Sequence, residues 1–182
     1  MARVLLIIDI QNDYFAGGAY PLVGSDAAAE AAARAIAAFR EAGDAVLHVQ
    51  HVWDAPDAVF MRPGTEGVEI HEAVRPLDGE PVLQKAEPNA FLGTDLAERL
   101  AQLTPDELVV AGMMTSMCVD STVRAAAERG FAVRVLYDAC AAPDLEFGGQ
   151  RVPGAAVHTA FIAALADGFA AVSSVDVYLA GV

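Results

Sequence analysis

The amino-acid sequence predicts a three-layer α/β/α protein in which helices cover both faces of a parallel sheet. Short apolar segments rich in β-branched residues alternate with longer, alanine-rich segments of helical length, which is the pattern of a parallel α/β sheet. The strand candidates are near-continuous apolar runs, as expected where both faces of a sheet are covered. With 182 residues, the chain fits one domain over residues 1–182 that can bury a core without disulfides.

Six strands and four longer helices are predicted. The strands cover residues 4–8, 45–51, 82–84, 107–111, 131–137 and 169–172; the helices cover 27–40, 94–103, 116–129 and 153–166, and a short helical segment follows the last strand. Ser25 or Asp26 can cap the first helix and Gly43 can end it, while Gly130 can end the third. Residues 53–81 show no regular pattern, and such a long connection in a compact domain is often a binding loop.

The charge balance argues against two classes of partner. The sequence has 11 Lys and Arg residues against 25 Asp and Glu residues, a formal net charge of −14, so nucleic acids and anionic membranes would be repelled. Two cysteines make no disulfide framework, which favours a reducing, cytoplasmic setting. The apolar run at residues 4–8 is too short for a signal peptide or a membrane span. We therefore expect a cytoplasmic protein that acts on a small molecule.

Three reactive side chains follow three of the predicted strands. Asp9 comes after the first strand, Lys85 after the third and Cys118 shortly after the fourth. Lys85 is the only lysine in the sequence, which favours a position where arginine cannot replace it. Because ligands of open α/β sheets bind beyond the carboxyl ends of the strands, an acid, an amine and a thiol are predicted to share one site.

Cys118 is the candidate nucleophile. With Thr115 as the N-cap of the following helix, the thiol falls in the first helical turn, where the dipole and unpaired N–H groups lower a thiol pKa and can bind an oxyanion. The alternative is a buried, inert cysteine. Asp9 beside the thiol can take its proton and return it to a leaving group, and Lys85 can hold that carboxylate ionised.

Two other kinds of site lack their sequence signals. No G-x-G-x-x-G follows the first strand and no Walker-type loop occurs, which argues against nucleotide chemistry. His48, His51, Asp54 and His71 lie close in sequence, but His48 and His51 point to opposite faces of a strand. We therefore expect neither a metal nor another cofactor.

Three segments carry a resemblance to a known family, the isochorismatase-like cysteine hydrolases. Residues 6–15, LIIDIQNDYF, resemble the opening D-x-Q-x-x-F motif of that family. Residues 84–96, with QK followed by NAFLGTDL, resemble its lysine segment, and residues 112–119, GMMTSMCV, are similar to its G-x-x-T-x-x-C-V elbow. The motifs occur in the family's order and are spread along most of the chain.

The resemblance implies a catalytic triad of Asp9, Lys85 and Cys118, the same residues that the sheet edge predicts. It also implies an oxyanion hole formed by the backbone N–H groups of Met114 and Cys118, and a cis peptide bond between Met113 and Met114. The implied fold is a six-stranded parallel sheet, and the implied assembly is a homodimer or a larger homo-oligomer.

The resemblance narrows the reaction but leaves several substrates open. Members of the family hydrolyse nicotinamide, N-carbamoyl compounds, ureidoacrylate, maleamate, lactam antibiotics or the vinyl ether of isochorismate. The metal cluster of the nicotinamidase branch is not reproduced in residues 51–56, HVWDAP, and isochorismatases proper generally lack the cysteine that is present here as Cys118. We therefore expect hydrolysis of a C–N bond in a small amide, carbamoyl or lactam substrate through a thioester at Cys118. The alternatives are a vinyl ether hydrolase and a non-catalytic ligand-binding relative.

Four side chains are predicted to wall the substrate pocket. Phe15 and Phe91 come shortly after two of the catalytic candidates, and Trp53 and His71 lie in the segment 53–81. The alternative for Phe15 and Phe91 is ordinary core packing, which is the usual role of aromatic side chains.

Overall fold

The structure is a computed structural model that describes residues 2–181. The strands in this part of the chain are β1 (Arg3–Ile8), β2 (Ala45–His51), β3 (Val82–Lys85), β4 (Glu107–Met113), β5 (Val133–Ala141), β6 (Leu145–Phe147), β7 (Gln150–Val152) and β8 (Ala171–Ser173). Six of them form one sheet in the order β3-β2-β1-β4-β5-β8, and every neighbouring pair is parallel. The predicted six-stranded parallel sheet is confirmed.

Helices pack on this sheet in two layers. They are α1 (Ser25–Ala42), α2 (Leu96–Leu103), α3 (Asp120–Glu128), α4 (Gly154–Gly168) and α5 (Val175–Ala180). Within residues 2–181, none of the helices has the length and apolar character needed to cross a membrane.

The two layers follow from the alternation of side chains along each strand. Leu5 and Ile7 of β1 pack in one core cluster with α1 and α5, whereas Val4, Leu6 and Ile8 pack in the other with α2, α3 and α4. Each buried aliphatic side chain of this size contributes about 1.5–3 kcal/mol by leaving water. β1 is therefore buried on both faces, as its continuous apolar sequence predicts.

The predicted C-terminal end of helix α1 is confirmed, but the N-cap is a residue other than the two predicted. Gly43 ends the helix with a left-handed backbone, φ 74°, as predicted. Its N-cap is Gly24, so neither Ser25 nor Asp26 caps it with a side chain. Both of these residues belong to the first helical turn, where the Asp26 carboxylate is favourably placed toward the positive end of the helix dipole.

Among the other boundaries that differ from the prediction, two have a cause in the structure. Helix α2 begins at Leu96 and not at Thr94, because the Thr94 hydroxyl accepts a hydrogen bond of 3.2 Å from the Leu96 N–H and forms a turn before the helix. Strand β5 continues past residue 137 to Ala141, because an irregularity in the β4–β5 register lets Cys140 pair with Gly112. Cys140 therefore lies inside β5 and not after it.

The antiparallel hairpin of β6 and β7 is absent from the sequence prediction. Its two strands are three residues long and are joined by Gly148 and Gly149, which have φ of 60° and 75°. Two successive residues with positive φ form the tight turn that suits a hairpin, and a Gly-Gly pair is its sequence signal. The unassigned segment 53–81 holds two short 3₁₀ turns, Glu66–Val68 and Glu72–Val74.

Candidate active site

Four side chains meet beyond the carboxyl ends of four neighbouring strands. Asp9 directly follows β1, and Cys118 lies in the helical turn that follows β4. His51 and Lys85 are the last residues of β2 and β3, and they are partners in the β2–β3 register. The strand order β3-β2-β1-β4 places these four ends side by side. The structure thus brings together the three residues predicted from the sequence and adds His51.

The amine of Lys85 is the centre of this cluster. Its Nζ lies 2.6 Å from Oδ2 of Asp9, 3.0 Å from Nδ1 of His51 and 3.2 Å from Sγ of Cys118. The ligand atoms of Asp9, His51 and Cys118 all lie within 4.8 Å of one another. The side chains of Lys85 and Asp9 are 0% exposed. The ammonium can therefore donate hydrogen bonds to a carboxylate, an imidazole and a sulfur at the same time.

The backbone around Asp9 holds its carboxylate in this position. Asp9 has φ of 50°, a left-handed conformation that aspartate adopts more readily than most residues. On the neighbouring strand, Gly112 has φ of 145°, and a Cβ built there would lie 2.1 Å from the carbonyl oxygen of Ile8. A side chain at position 112 would therefore push β4 away from β1 at the base of the site.

The turn that carries Cys118 differs from the prediction in one respect. The peptide bond between Met113 and Met114 is cis, and a helical turn over Thr115–Val119 follows it. The N-cap is Met114 and not Thr115. The hydroxyl oxygen of Thr115 is instead 3.0 Å from Nδ1 of His158 on α4, so this side chain ties the turn to a neighbouring helix.

The charges and burial around Cys118 contradict the expectation that the helical turn lowers the pKa of its thiol. Burial raises the pKa of the Cys118 thiol, the charge of Asp9 raises it further, and Lys85 only partly opposes them. Burial alone would lower the pKa of Lys85, but the charge of Asp9 places it above its ordinary value of 10.5. Burial and the charge of Lys85 lower the pKa of His51. The resting site thus holds a neutral thiol beside an ammonium and a neutral imidazole, and the helical turn does not generate a free thiolate.

The donor set of this cluster is also one that a transition metal could use. Asp9, His51 and Cys118 supply oxygen, nitrogen and sulfur ligand atoms. The Lys85 ammonium lies within hydrogen-bond distance of all three ligand atoms, so its positive charge occupies the middle of the cluster and would repel a metal ion. His48 lies apart from this cluster, with Nε2 3.2 Å from a carboxylate oxygen of Glu80.

A cavity of about 600 Å³ opens above Cys118 and His51. Its wall is rich in aromatic side chains: Tyr14, Tyr20, Trp53, Phe60 and Phe161. The volume is in the range of small-molecule sites, which are concave and mostly apolar. Of the four predicted wall residues, Trp53 is the one that lines this cavity.

The other three predicted wall residues lie elsewhere. The rings of Phe15 and His71 stack with centroids 3.8 Å apart, and both residues line a separate cavity of about 570 Å³. Phe91 is buried in the core cluster that contains α2 and α3, and its ring faces the guanidinium of Arg129 at 4.5 Å. The structure therefore does not bring Phe15, Phe91 or His71 to the cavity above Cys118.

Several residues of the site are absent from the sequence prediction. His51 has a local signal, because it ends a predicted strand, but its partner is visible only from the β2–β3 register. Tyr14 precedes Phe15, so the prediction chose the neighbouring ring. Phe161 comes from α4, and nothing in its local sequence indicates a cavity.

Comparison with known proteins identifies the family. Residues 3–177 match the model of the isochorismatase domain. The chain belongs to the isochorismatase family. It is 47% identical over 179 residues to the isochorismatase family protein YddQ of Bacillus subtilis, covering 98% of this chain and 99% of that protein.

Two further comparisons bear on the fold and the chemistry of the family. A crystal structure of an isochorismatase-family hydrolase from Oleispira antarctica superposes with a TM-score of 0.94 at 44% identity, over 98% of this chain and 96% of that one. The ureidoacrylate amidohydrolase RutB of Methylorubrum extorquens is 33% identical over 187 residues, which covers 82% of this chain and 75% of RutB. Hydrolases of the isochorismatase family thus share this fold, and one of these relatives is named for the hydrolysis of an amide.

Proposed function

We propose that the protein is a cysteine amidohydrolase that cleaves a C–N bond of a small amide, carbamoyl or lactam substrate through a thioester on Cys118. The observation that carries this proposal is the position of the Lys85 amine, 2.6 Å from Asp9 and 3.2 Å from Cys118. A thiol next to a carboxylate, oriented by a third group, is the arrangement of an activated nucleophile. The amidohydrolase RutB, a relative at 33% identity, supports cleavage of a C–N bond.

In the first half of the proposed reaction, the sulfur of Cys118 attacks the carbonyl carbon while Asp9 accepts the thiol proton. The negative charge that develops on the carbonyl oxygen is bound by the backbone N–H groups of Met114 and Cys118, as the family resemblance implies. Asp9 then gives its proton to the nitrogen and the C–N bond breaks. The amine or ammonia leaves, or, in a lactam, the amine stays attached to the opened chain. A thioester remains on the sulfur.

In the second half, water attacks the thioester carbonyl and Asp9 accepts a proton from that water. The C–S bond breaks, the proton returns to the sulfur, and a carboxylic or carbamic acid leaves. Asp9 thus acts alternately as base and acid in both halves. In the resting site Lys85 is protonated, because the charge of Asp9 raises its pKa above the ordinary value against the opposing effect of burial.

The raised pKa of Cys118 determines how attack occurs. Burial and the charge of Asp9 raise the pKa of Cys118 and so favour the neutral thiol at rest; we therefore expect proton transfer to Asp9 to accompany attack. Lys85 contributes by hydrogen bonding to both partners of the transfer, so the sulfur gains negative charge beside a cation. His51, which is neutral, accepts a further hydrogen bond from Lys85 and holds the amine in place.

The test is a panel of primary amides, carbamoyl compounds and lactams, assayed for release of ammonia or amine. Intact-protein mass spectrometry should detect an acyl adduct during turnover, and peptide mapping should place it on Cys118. Cys118→Ser should lower kcat/KM by at least about 10³-fold, since removing a nucleophile from a unit of this kind abolishes most of the catalysis.

Cys140→Ala is the matched control. This second thiol is buried in β5, and its sulfur donates to the carbonyl oxygen of Leu136 at 3.4 Å. Cys140→Ala should keep the activity and the adduct. Full activity in Cys118→Ser, or release of pyruvate from a vinyl ether with no amide turned over, would contradict the proposal.

A further inference from the structure

Four aromatic side chains that line the cavity above Cys118 form one cluster around Phe60. The ring of Tyr20 stacks on Phe60 with centroids 5.1 Å apart, Trp53 meets it edge-on at 5.4 Å, and Tyr14 lies 6.0 Å away. Packed aromatic rings have few rotatable bonds and present broad apolar faces. Such a wall offers stacking and edge contacts to a flat, apolar group of the substrate.

The lining of this cavity carries no fixed ionic group. Among the lining residues in the described part of the chain, none is aspartate, glutamate, lysine or arginine. His51 reaches the cavity, but burial and the charge of Lys85 lower its pKa and keep the ring neutral. The nearby cation, Lys85, is 0% exposed and is engaged with Asp9, His51 and Cys118. A carboxylate on a bound substrate would therefore find no free cation on these walls.

The local field also opposes an added negative charge. Burial raises the pKa of Tyr14, and the charge of Asp9 raises it further. The same effects, burial and the charge of Asp9, raise the pKa of Cys118. Two separate groups at the cavity thus resist ionisation, and the whole chain has a net charge of −14. An anionic substrate would enter against the field and lose its hydration without a partner.

Resting on the proposed function, we infer that the substrate is an uncharged amide whose remaining part is apolar and about the size of an aromatic ring. Amides that carry a carboxylate, such as ureidoacrylate, are excluded as good substrates. The cavity volume of about 600 Å³ accommodates a ring with a short side chain while the carbonyl group lies over the sulfur of Cys118.

The first experiment compares two amides that share the phenylacetamide frame and differ by one carboxylate. Phenylacetamide is neutral and 4-carboxyphenylacetamide is anionic, and ammonia release gives kcat/KM for each. We expect the neutral amide to be preferred by at least about 100-fold, because the carboxylate would be buried without a partner. Equal values, or a preference for the anion or for ureidoacrylate, would overturn the inference and leave the proposed C–N hydrolysis standing.

A second experiment adds the missing cation. Met117 lines the cavity and is 45% exposed, so an arginine there can reach water while facing a bound ligand. Met117→Arg should reduce the preference for phenylacetamide to less than about 10-fold by improving kcat/KM for the anion. Val177→Arg, on α5 and 68% exposed, introduces the same charge away from the cavity and should leave the preference unchanged. An equal shift in both variants would show a general effect of net charge and overturn the inference.

A binding readout separates this inference from the reaction mechanism. Phenylacetamide in the cavity should slow alkylation of Cys118 by iodoacetamide, and 4-carboxyphenylacetamide at the same concentration should not. Selective protection without ammonia release from either amide supports the inferred ligand class while counting against the proposed function. Equal protection of Cys118 by both compounds, or protection by neither, overturns the inferred ligand class, whether or not the proposed mechanism holds.

Discussion

The buried pair of Asp9 and Lys85 makes a quantitative prediction about stability. Asp9→Asn removes one charge and keeps the shape, and asparagine tolerates the φ of 50° at this position. Lys85 is then left 0% exposed without its carboxylate partner. Breaking a buried ion pair from one side costs about 3–5 kcal/mol in the free energy of unfolding, because an uncompensated charge stays buried. Lys85→Met should cost a similar amount for the same reason.

The double variant Asp9→Asn with Lys85→Met should regain much of that loss. It contains no unpaired charge, and replacing both partners of a buried pair is often close to neutral. The coupling energy between positions 9 and 85 should therefore reach at least about 2 kcal/mol. The surface pair of Asp95 and Arg99 has a similar separation, 2.8 Å, with side chains 54% and 38% exposed, and its coupling energy should be only about 0.3–0.5 kcal/mol.

The assay is urea unfolding followed by circular dichroism, with the four proteins of each cycle measured near pH 7. This pH is suitable because Lys85 has a pKa above its ordinary value of 10.5, so its stabilising contribution is fully present below that value and is lost only as pH rises through the higher folded-state pKa. A coupling energy at the buried pair no larger than at the surface pair would refute the reasoning. The double variant should be inactive although it is folded, since both groups take part in the proposed reaction.

Three further perturbations have defined outcomes. Gly112→Ala should cost at least about 3 kcal/mol in thermal unfolding, because its Cβ would lie 2.1 Å from a carbonyl oxygen of β1, whereas Gly168→Ala, with nothing within 4 Å, should not destabilise; equal effects would contradict this. Iodoacetamide should modify Cys118, which lines the cavity, well before Cys140, which is not among the residues lining that cavity and donates to the carbonyl oxygen of Leu136; peptide mapping measures both rates, and equal rates would contradict this. The hydrogen-bonded guanidinium of Arg40 lowers the pKa of Glu80 from 4.5 to about 2, so the stabilisation by Glu80 is present above pH 4.5 and is lost as pH falls toward 2. The free energy of unfolding of Glu80→Gln should therefore change less with pH between 4.5 and 2 than that of the unaltered protein, and an unchanged slope would contradict this prediction.

The parts of the site that the sequence predicts are those with local signals. Asp9 interrupts an apolar strand, Lys85 is the one lysine, and Cys118 lies where a strand passes into a helix. Each signal can be read from a few neighbouring residues, and the topology of a parallel sheet then places the strand ends together. The strands of the central sheet are predictable for the same reason, because burial on both faces requires continuous apolar runs.

The parts that the sequence does not predict depend on contacts between distant segments. His51 lies beside Lys85 because the two residues are partners in the β2–β3 register. Phe161 reaches the cavity only because of how α4 packs. The thiol pKa is a further case. The helical turn that carries Cys118 is a local feature and favours a thiolate, but the burial and the nearby Asp9 that outweigh it arise from the tertiary fold.

Because the four site residues lie at the ends of four different strands, the site can form only after those strands have paired. His51 and Lys85 end two strands, and Asp9 and Cys118 follow two others. In the sequence β2 and β3 lie between β1 and β4, and β1 must pair with β4 before the acid and the thiol approach each other. A loop of that length closes late, after the local helices and the β1–β2 pairing can form. Partly assembled chains with native-like helices would therefore be catalytically silent, and recovery of turnover during refolding would time the closure of the β1–β4 pair.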